Sequence, residues 1–184
     1  MTATPSTALI GVLTISDRAS VGIYEDISGP AIEAWVGKAL SVPFAIDKRI
    51  IPDGFDSVRD TLIDMADKAG CCLILTTGGT GPAPRDLTPE ATLAAAQREL
   101  PGFGELMRAK SLEQTPTAIL SRQTAAHRGA CLIVNLPGSP RSIDLCLSAV
   151  FPAIPYCVEL IGGAYLDTHA EVVKTIRPGA KKPA

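Results

Sequence analysis

Short apolar runs and longer, periodically apolar segments alternate along this chain. Three of the runs, at residues 8–15, 71–75 and 130–134, are continuously apolar, which is typical of strands that are covered on both faces of a sheet. A fourth segment, residues 42–51, alternates enough between apolar and polar side chains to be a strand. The pattern therefore predicts four main strands.

Segments with apolar residues at helical spacing lie between these strands. The first covers residues 30–40, with Ser28 as a candidate N-cap. The second covers residues 55–69 and is closed by Gly70, because glycine is common just past a helix end. We predict further helical segments at residues 88–99, 105–112, 141–150 and 151–162, N-caps at Thr88 and Ser139, and a short edge strand at Ala125 and Ala126.

The alternation of strands and helices predicts an α/β fold with three layers, αβα, and a mostly parallel sheet. Crossovers between its parallel strands are then right-handed. The chain has 184 residues, enough for one domain with a sizeable core, and we assign residues 1–184 to that domain with flexible tails at 1–7 and 174–184. Ligands in such folds bind at the carboxyl ends of the strands, so the residues after each strand are the first candidates for a site.

Composition and charge narrow the possible partners. Hydrophobic residues make up 46% of the chain and charged residues 20%, which argues against a largely disordered protein. The net charge is −2 and the basic stripe of a nucleic-acid-binding protein is missing, so we predict no nucleic-acid partner. An anionic ligand must therefore be bound by local arginines, backbone N–H groups and a metal, because the overall field does not attract it.

Cysteine usage argues for a reducing compartment. Five cysteines, without a C-x-x-C pair, stand mostly among apolar residues, which favours buried thiols over a disulfide framework or a zinc site. The two histidines are too few and too scattered for a metal cluster. The N-terminal residues lack the features of a signal peptide, and no apolar run reaches the roughly 18 residues of a membrane helix. We therefore expect a cytoplasmic protein without a membrane contact.

The residues that carry chemistry concentrate after the strand at 71–75. There the sequence TTGGTGPAPRDLTPEAT places a glycine loop, the pair Arg85 and Asp86, and a helix start with Pro89 at its first position. Glycines let the backbone approach a ligand, and successive N–H groups beside a helix N-terminus bind anions. Arg85 supplies donors suited to phosphate oxygens, and Asp86 is an oxygen ligand of the kind that Mg²⁺ takes. The motif indicates a site for a phosphorylated ligand with its metal.

The sequence excludes two known phosphate-binding loops. A Walker A loop needs Lys and then Ser or Thr after its last glycine, whereas Gly81 is followed by Pro82. The dinucleotide fingerprint G-x-G-x-x-G fails because Pro84 stands at the position of its third glycine. An ordinary glycine-rich connection between a strand and a helix remains open on the glycines alone.

Polar residues also follow the other predicted strands. Ser16, Asp17 and Arg18 follow the first strand, Asp53 follows the second, and residues 135–139 follow the last. Each has an ordinary alternative, namely a polar loop for the first group and the N-cap of the next helix for Asp53. Because parallel strands end at one edge of a sheet, we expect these residues to share one pocket with the glycine loop.

No side chain in the motifs offers a nucleophile with a base beside it. Ser16, Ser121 and Ser139 lack a partner histidine, which disfavours covalent catalysis. The carboxylates, arginines and glycine turns instead suit nucleotidyl or phosphoryl transfer, which depends on positioning, metal and charge neutralisation.

The motif at residues 76–92 resembles the central motif of the MogA-type molybdopterin adenylyltransferases, which the MoaB proteins and the G domains of gephyrin and its plant counterpart share. Over roughly residues 8–165, further pieces follow in the family's order, at residues 15–20, 51–53, 101–105, 118–122 and 135–138. Each piece is weak alone, whereas the ordered set is specific. The resemblance implies the molybdopterin-binding, MogA-like fold.

The resemblance further implies Mg²⁺-dependent adenylylation of molybdopterin by ATP, with pyrophosphate as the second product. Asp53 and Asp86 match the family's two catalytic carboxylates, and we assign them to the metal and to the orientation of the phosphates. A homotrimer is implied as well, with the molybdate-insertion enzyme as a candidate partner. The residues expected to bind the nucleotide and molybdopterin are Ser16, Asp17, Arg18, Thr77, Gly78, Gly79, Thr80, Gly81, Arg85, Asn135, Pro137, Gly138 and Ser139.

Two points keep an alternative open. Some bacterial members carry a β-hairpin between the NLPG turn and the last helix, whereas residues 141–150 here run almost directly into residues 151–153. This difference bears on which subfamily the chain belongs to and on the partners that it binds. Relatives of this fold also act as binding or scaffold modules, so a non-catalytic molybdopterin-binding module of the MoaB type is the alternative. Asp53 and Asp86 argue against it, because a passive binder of anions gains little from added carboxylates.

Overall fold

Six strands form one sheet in the computed structural model, which describes residues 7–179. They are β1 (Ala8–Ile15), β2 (Phe44–Ile51), β3 (Leu73–Thr77), β4 (Arg98–Glu99), β5 (Ala125–Arg128) and β6 (Cys131–Leu136), and they lie in the order β2-β1-β3-β6-β5-β4. The pairs among β2, β1, β3 and β6 are parallel, whereas β5 pairs antiparallel with both β6 and β4. The predicted mostly parallel sheet is thus confirmed, with an antiparallel edge.

Helices cover both faces of this sheet. They are α1 (Asp17–Ser20), α2 (Ser28–Ala39), α3 (Phe55–Asp64), α4 (Thr88–Ala95), α5 (Pro101–Leu112), α6 (Pro140–Val150) and α7 (Ile154–Leu160), with a π-helical turn at Met65–Ala69 and a 3₁₀ turn at Pro116–Leu120. One hydrophobic core joins the sheet to α2, α5, α6 and α7, and a second joins its other face to α3 and α4. In β3, Leu73 and Leu75 belong to the first core and Ile74 to the second, as a strand period of two requires. This is the predicted three-layer αβα arrangement.

Several element bounds differ from the prediction for local reasons. α5 begins at Pro101 and not at residue 105, because a proline at the first helical position loses no hydrogen bond. α4 ends at Ala95, and β4 then occupies the end of the segment whose apolar spacing predicts helix. β5 has a strand on each side, so the predicted edge position of Ala125 and Ala126 is wrong.

The capping of α2 differs as well. The side chains of Ser28, Thr88 and Ser139 do not form the predicted N-caps. α2 begins at Ser28 itself, and Oδ1 of Asp26 accepts the N–H groups of Ser28 (3.1 Å) and Gly29 (2.9 Å). A carboxylate two residues upstream therefore caps this helix, where the helix dipole also favours a negative charge.

Replacing Asp26 with alanine should lower the free energy of unfolding by about 1 kcal/mol, because the two N–H groups at the start of α2 lose their acceptor. Asp26→Asn is the matched control, since its side-chain carbonyl oxygen can accept the same bonds. Urea unfolding of both variants measures the difference. An equal loss in both would assign the effect to the negative charge instead of the hydrogen bonds.

The segment after α7 folds back onto the protein. The N–H of Ile176 donates to the carbonyl of Pro152 (2.9 Å), and the guanidinium of Arg177 bonds to Glu159 (2.9 Å) and to the carbonyl of Leu166 (2.6 Å). Residues 175–177 of the predicted tail are therefore attached to the folded domain, whereas Gly179 and the side chains of Lys174, Ile176 and Pro178 are exposed. Residues 1–6 and 180–184 lie outside the described residues.

The same region closes the far end of α2. The N–H of Ser41 donates to the carbonyl of Asp167 (2.9 Å), and the N–H of His169 donates to the carbonyl of Ala39 (2.8 Å). Leu40 and Thr168 form an isolated antiparallel bridge between these two bonds. The C-terminal end of α2 therefore takes its hydrogen-bond partners from a segment that is distant in sequence.

The cysteines contribute to the cores. All five are free, and all except Cys157 are buried. Burial raises the pKa of the Cys71 thiol to about 12 and also raises that of Cys131. Both thiols are therefore protonated at neutral pH and pack as small apolar groups, as the sequence predicts.

α6 and α7 place Ile143, Leu147, Ile154 and Val158 in the first core. Taken as a pair they have the length and hydropathy of a membrane span, but only across a bend of 61°. No single helix in residues 7–179 is both long enough and apolar enough to cross a membrane.

Candidate active site

A cleft of about 350 Å³ lies at the carboxyl ends of β1, β2 and β3. Because these strands are parallel neighbours, the residues that follow them meet at one edge of the sheet, as predicted. The cleft is lined by Thr14, Ile15, Ser16, Asp17, Arg18, Ala19, Tyr24, Asp26, Ser28, Asp53, Thr77, Gly78, Gly79, Arg85, Asp86, Gly138 and Pro140. Most of the residues that the sequence predicts for the site are thus brought together.

At two positions of the glycine loop, residues 78–81, the structure accommodates only glycine. Gly78 and Gly79 have φ angles of 101° and 63°, in the left-handed region that favours glycine. A Cβ atom on Gly78 would overlap the carbonyl oxygen of Ile15, and one on Gly79 would overlap Oγ1 of Thr88. Thr88 also donates its hydroxyl to the Gly78 carbonyl (2.9 Å) and its N–H to the Gly79 carbonyl (3.1 Å). The loop is therefore held between the end of β1 and the start of α4.

Asp17 and Asp53 join the ends of β1 and β2. Oδ2 of Asp53 accepts the N–H of Asp17 (2.9 Å), and Oδ1 of Asp17 accepts the N–H of Asp53 (3.0 Å). Oδ1 of Asp53 lies 3.6 Å from the position that a Cβ atom of Gly79 would take, and so beside the glycine loop. α3 has Gly54 as its N-cap without a side-chain bond, so the alternative of Asp53 as a helix cap is wrong.

Asp86 and two arginines complete the polar lining. Oδ2 of Asp86 accepts the N–H of Ala83 (3.1 Å), and the N–H of Asp86 donates to the carbonyl of Ala83 (2.9 Å), which fixes the turn between them. Arg85 is exposed at the cleft, as is Arg18, whose guanidinium lies 5.4 Å from the centroid of the Tyr24 ring. Both guanidinium groups can therefore meet phosphate oxygens.

Asp26 is a lining carboxylate that sequence reasoning missed. Its Oδ2 accepts the hydroxyl of Thr14 (2.9 Å), and the hydroxyl of the neighbouring Ser28 donates to the Gly138 carbonyl (3.0 Å). These residues join β1, the start of α2 and the turn after β6 along one side of the cleft. Asp26 stands two residues before Ser28, the predicted N-cap, and an aspartate near a helix start is itself a capping signal that could have placed it at this edge.

Asn135 lies in the sheet and not in the turn after it. β6 extends to Leu136, two residues past the predicted strand end at 134, and Asn135 is fully buried. Its Nδ2 donates to Oγ1 of Thr76 (3.0 Å) and to Oγ1 of Thr92 (2.9 Å). The prediction that Asn135 follows the strand is therefore wrong, and its side chain instead links β3, β6 and α4.

Four more of the predicted residues are not among those that line the cleft, namely Thr80, Gly81, Pro137 and Ser139. Three of them act through their carbonyl groups in this structure. The carbonyl of Pro137 accepts the hydroxyl of Thr77 (2.8 Å), and the carbonyls of Thr80 and Gly81 accept bonds from Arg122. Ser139 is exposed at the N-cap position of α6.

The donor set suits a magnesium ion that is bound together with a phosphorylated ligand. Within residues 7–179, no group of three or more His, Cys, Asp or Glu side chains could hold a metal ion by itself. Mg²⁺ is usually held by one or two carboxylates together with waters and substrate phosphates, and Asp53 and Asp86 supply carboxylates at the cleft. Carboxylates alone would repel phosphates, so a bridging cation and the two arginines make the cleft suitable for an anion.

Comparison with known sequences gives the family. Residues 11–156 match the sequence model of the family described as "Probable molybdopterin binding domain". The chain is 54% identical over 169 residues to the molybdopterin adenylyltransferase of Helicobacter pylori strain J99, which covers 92% of this chain and 96% of that protein. It is 48% identical over 185 residues to the molybdopterin adenylyltransferase of Escherichia coli K12, which covers 94% and 95% respectively.

Solved structures of the same family resemble the fold of this chain. The molybdopterin biosynthesis enzyme MoaB from Thermus thermophilus matches with a TM-score of 0.78 at 42% identity, over 86% of this chain and 99% of that one. The molybdopterin biosynthesis Mog protein from Mycobacterium ulcerans matches with a TM-score of 0.78 at 33% identity, over 85% and 100%. This chain therefore belongs to the family of probable molybdopterin binding domains, and within it to the MogA/MoaB type.

Proposed function

We propose that this chain is a molybdopterin adenylyltransferase of molybdenum cofactor biosynthesis, which transfers AMP from Mg-ATP to the phosphate of molybdopterin and releases pyrophosphate. Two relatives with that name are 54% and 48% identical to it over at least 92% of both chains. The observation that carries the proposal is the cleft that joins a left-handed glycine loop to the carboxylates of Asp53 and Asp86.

In the proposed reaction, an oxygen of the molybdopterin phosphate attacks the α-phosphorus of ATP. A new P–O–P linkage forms, the bond from the α-phosphorus to the oxygen that bridges to the β-phosphate breaks, and pyrophosphate leaves with that oxygen and its electron pair. A phosphate monoester is largely ionised at neutral pH, so the attacking oxygen needs no general base. The protein has to align the two phosphates and neutralise their charge.

We assign the alignment to the glycine loop and the two arginines. The backbone of Gly78 and Gly79, beside the N-terminus of α4, suits a phosphate chain, and Arg18 and Arg85 can form charge-assisted bonds to its oxygens. Asp53 and Asp86 would hold Mg²⁺, which when bound screens the charge of the reacting phosphates.

The alternative, a non-catalytic molybdopterin-binding module, would use the same cleft. Four carboxylates line it, those of Asp17, Asp26, Asp53 and Asp86. They would weaken the binding of an anion on its own, whereas an enzyme that takes its nucleotide with a divalent cation has a use for at least two of them. This arrangement favours catalysis over passive binding.

Pyrophosphate release from Mg-ATP by the purified protein, with and without molybdopterin, tests the proposal. We expect release that requires both molybdopterin and Mg²⁺. Bound molybdopterin without any release would support the binding module instead. Release at the same rate without molybdopterin would contradict the proposed acceptor.

We further propose a cytoplasmic location, because all five cysteines are free and most are buried, which suits a reducing compartment. The homotrimer and the molybdate-insertion enzyme as a partner, both implied by the family resemblance, stay predictions. Light scattering coupled to size-exclusion chromatography measures the molar mass and so tests the homotrimer.

A further inference from the structure

Arg122 makes four contacts with the segment that carries the glycine loop and Asp86. Its backbone N–H donates to the Thr80 carbonyl (2.9 Å), and its Nε donates to the Gly81 carbonyl (2.9 Å). Its two terminal nitrogens donate to the backbone carbonyl of Asp86 and to the carboxylate of Glu90. One residue from a distant part of the sequence therefore holds this segment at four points.

These contacts secure a stretch that is otherwise weakly attached. Residues 82–85 are exposed, and Asp86 is bonded within the stretch only to Ala83. The nearest bonds that attach the loop to α4 are those of Thr88 to Gly78 and Gly79. Among the described residues, Arg122 supplies the only hydrogen bond that joins Asp86 to a residue outside this stretch.

Only an arginine side chain has the geometry to form all three of these side-chain hydrogen bonds. The guanidinium presents five N–H donors in a rigid plane, so it can bond three acceptors on different sides at once, whereas a lysine ammonium is a compact point charge. Glu90 balances the positive charge, and bonds from a charged donor to a carbonyl are stronger than neutral ones. Arg122 is not among the residues that line the cleft.

We propose that Arg122 is a positioning residue, which fixes Asp86 at the cleft through the backbone of the loop without contacting the substrate itself. Without Arg122, the carboxylate of Asp86 would still be present, but it could shift relative to Asp53 and the glycine loop. The kinetic consequence rests on the proposed adenylyl transfer, whereas the structural consequence does not.

Amide hydrogen exchange tests the structural part without any ligand. In Arg122→Gln, the amides of Asp86 and Thr88 should exchange at least about tenfold faster than in the wild type, because their bonds to the carbonyls of Ala83 and Gly79 open more often. Unchanged exchange of these amides in Arg122→Gln would overturn the proposal.

Arg128 supplies the matched control. Its guanidinium also bonds an aspartate, Asp67, and a backbone carbonyl, that of Ala95, and it is not among the cleft residues. Arg128→Gln should leave the amide exchange of Asp86 and Thr88 and the rate of pyrophosphate release unchanged. If Arg128→Gln accelerated the exchange of the Asp86 and Thr88 amides as much as Arg122→Gln, general destabilisation would replace the proposal.

Kinetics on the full chain test the catalytic part. Arg122→Gln should lower kcat for molybdopterin-dependent pyrophosphate release about 10- to 100-fold and change the KM for ATP much less, because a misplaced group costs alignment more than binding. Guanidinium ion should restore part of the activity of Arg122→Ala, and Arg122→Lys should retain an intermediate kcat. A kcat within twofold of the wild type in Arg122→Gln would overturn the proposal.

Glu90→Gln covers the case in which the Arg122 variants fail to fold. It keeps Arg122 but removes the charge that balances it, and it should shift both exchange and kcat in the same direction by a smaller factor. No effect of Glu90→Gln on either quantity would then contradict the proposal. If the wild-type protein releases no pyrophosphate, the proposed function fails, and the exchange result alone decides the role of Arg122.

Discussion

The Asp86→Asn variant should lose turnover by about 10³-fold or more while its affinity for molybdopterin stays largely intact. The asparagine carbonyl oxygen can still accept the N–H of Ala83 (3.1 Å in the wild type), and the backbone bonds to Ala83 and Arg122 do not involve the carboxylate. The loop therefore keeps its shape. The variant loses the negative charge that we assign to Mg²⁺ and to the orientation of the phosphates.

Pyrophosphate release and molybdopterin binding, measured on the same preparation, separate the two effects. Asp67→Asn is the control, because Asp67 is a carboxylate outside the cleft lining that pairs with Arg128. It should retain full turnover, because an ion pair at the protein surface contributes little to stability. An equal loss of turnover and of molybdopterin binding in Asp86→Asn would show that Asp86 is a structural cap.

The Gly79→Val variant should lose ATP binding, with an affinity reduced by about 10²-fold or more. Gly79 has a φ angle of 63°, and a non-glycine residue held in that region costs about 1–3 kcal/mol of strain. The new side chain would also overlap Oγ1 of Thr88, whose hydroxyl holds the carbonyl of Gly78. The loop must then move, and the backbone loses its close approach to the nucleotide.

Gly129→Val distinguishes strain from a direct effect on the site. Gly129 has a similar φ angle of 52°, but a Cβ atom there would meet nothing within 4 Å, and it does not line the cleft. We expect this control to lose stability while it binds ATP as the wild type does, by isothermal titration calorimetry. Unchanged ATP affinity in Gly79→Val would refute the assignment of the glycine loop to the nucleotide.

The parts of the fold that depend on local pattern could be predicted from the sequence. β1 has the predicted bounds, because residues 8–15 are continuously apolar and end at a polar group. The glycine loop could be placed because three glycines, hydroxyl side chains and the pair Arg85 and Asp86 stand together between a buried strand and a helix start. Asp53 could be placed in the same cleft because parallel strands end at one edge.

The rest depends on partners that are distant in sequence. Asn135 has the appearance of a strand end, and its burial is made possible by Thr76 and Thr92, which lie 59 and 43 positions away. Arg122 has no local signal for its role, because its acceptor at Gly81 is 41 positions away. Side chains whose contacts are set by tertiary structure cannot be assigned by periodicity or capping rules.

The bonds between the end of α2 and residues 167–169 have a consequence for synthesis of the protein in the cell. His169 follows Ala39 by 130 residues, which takes about 6 to 26 seconds on the ribosome at about 5–20 residues per second. By the end of that interval α2 and the residues of all six strands have been synthesised, but until then the carbonyl of Ala39 and the N–H of Ser41 lack their final partners. The C-terminal end of α2, the first helix of the first core, is therefore completed only by a segment that is translated after all six strands.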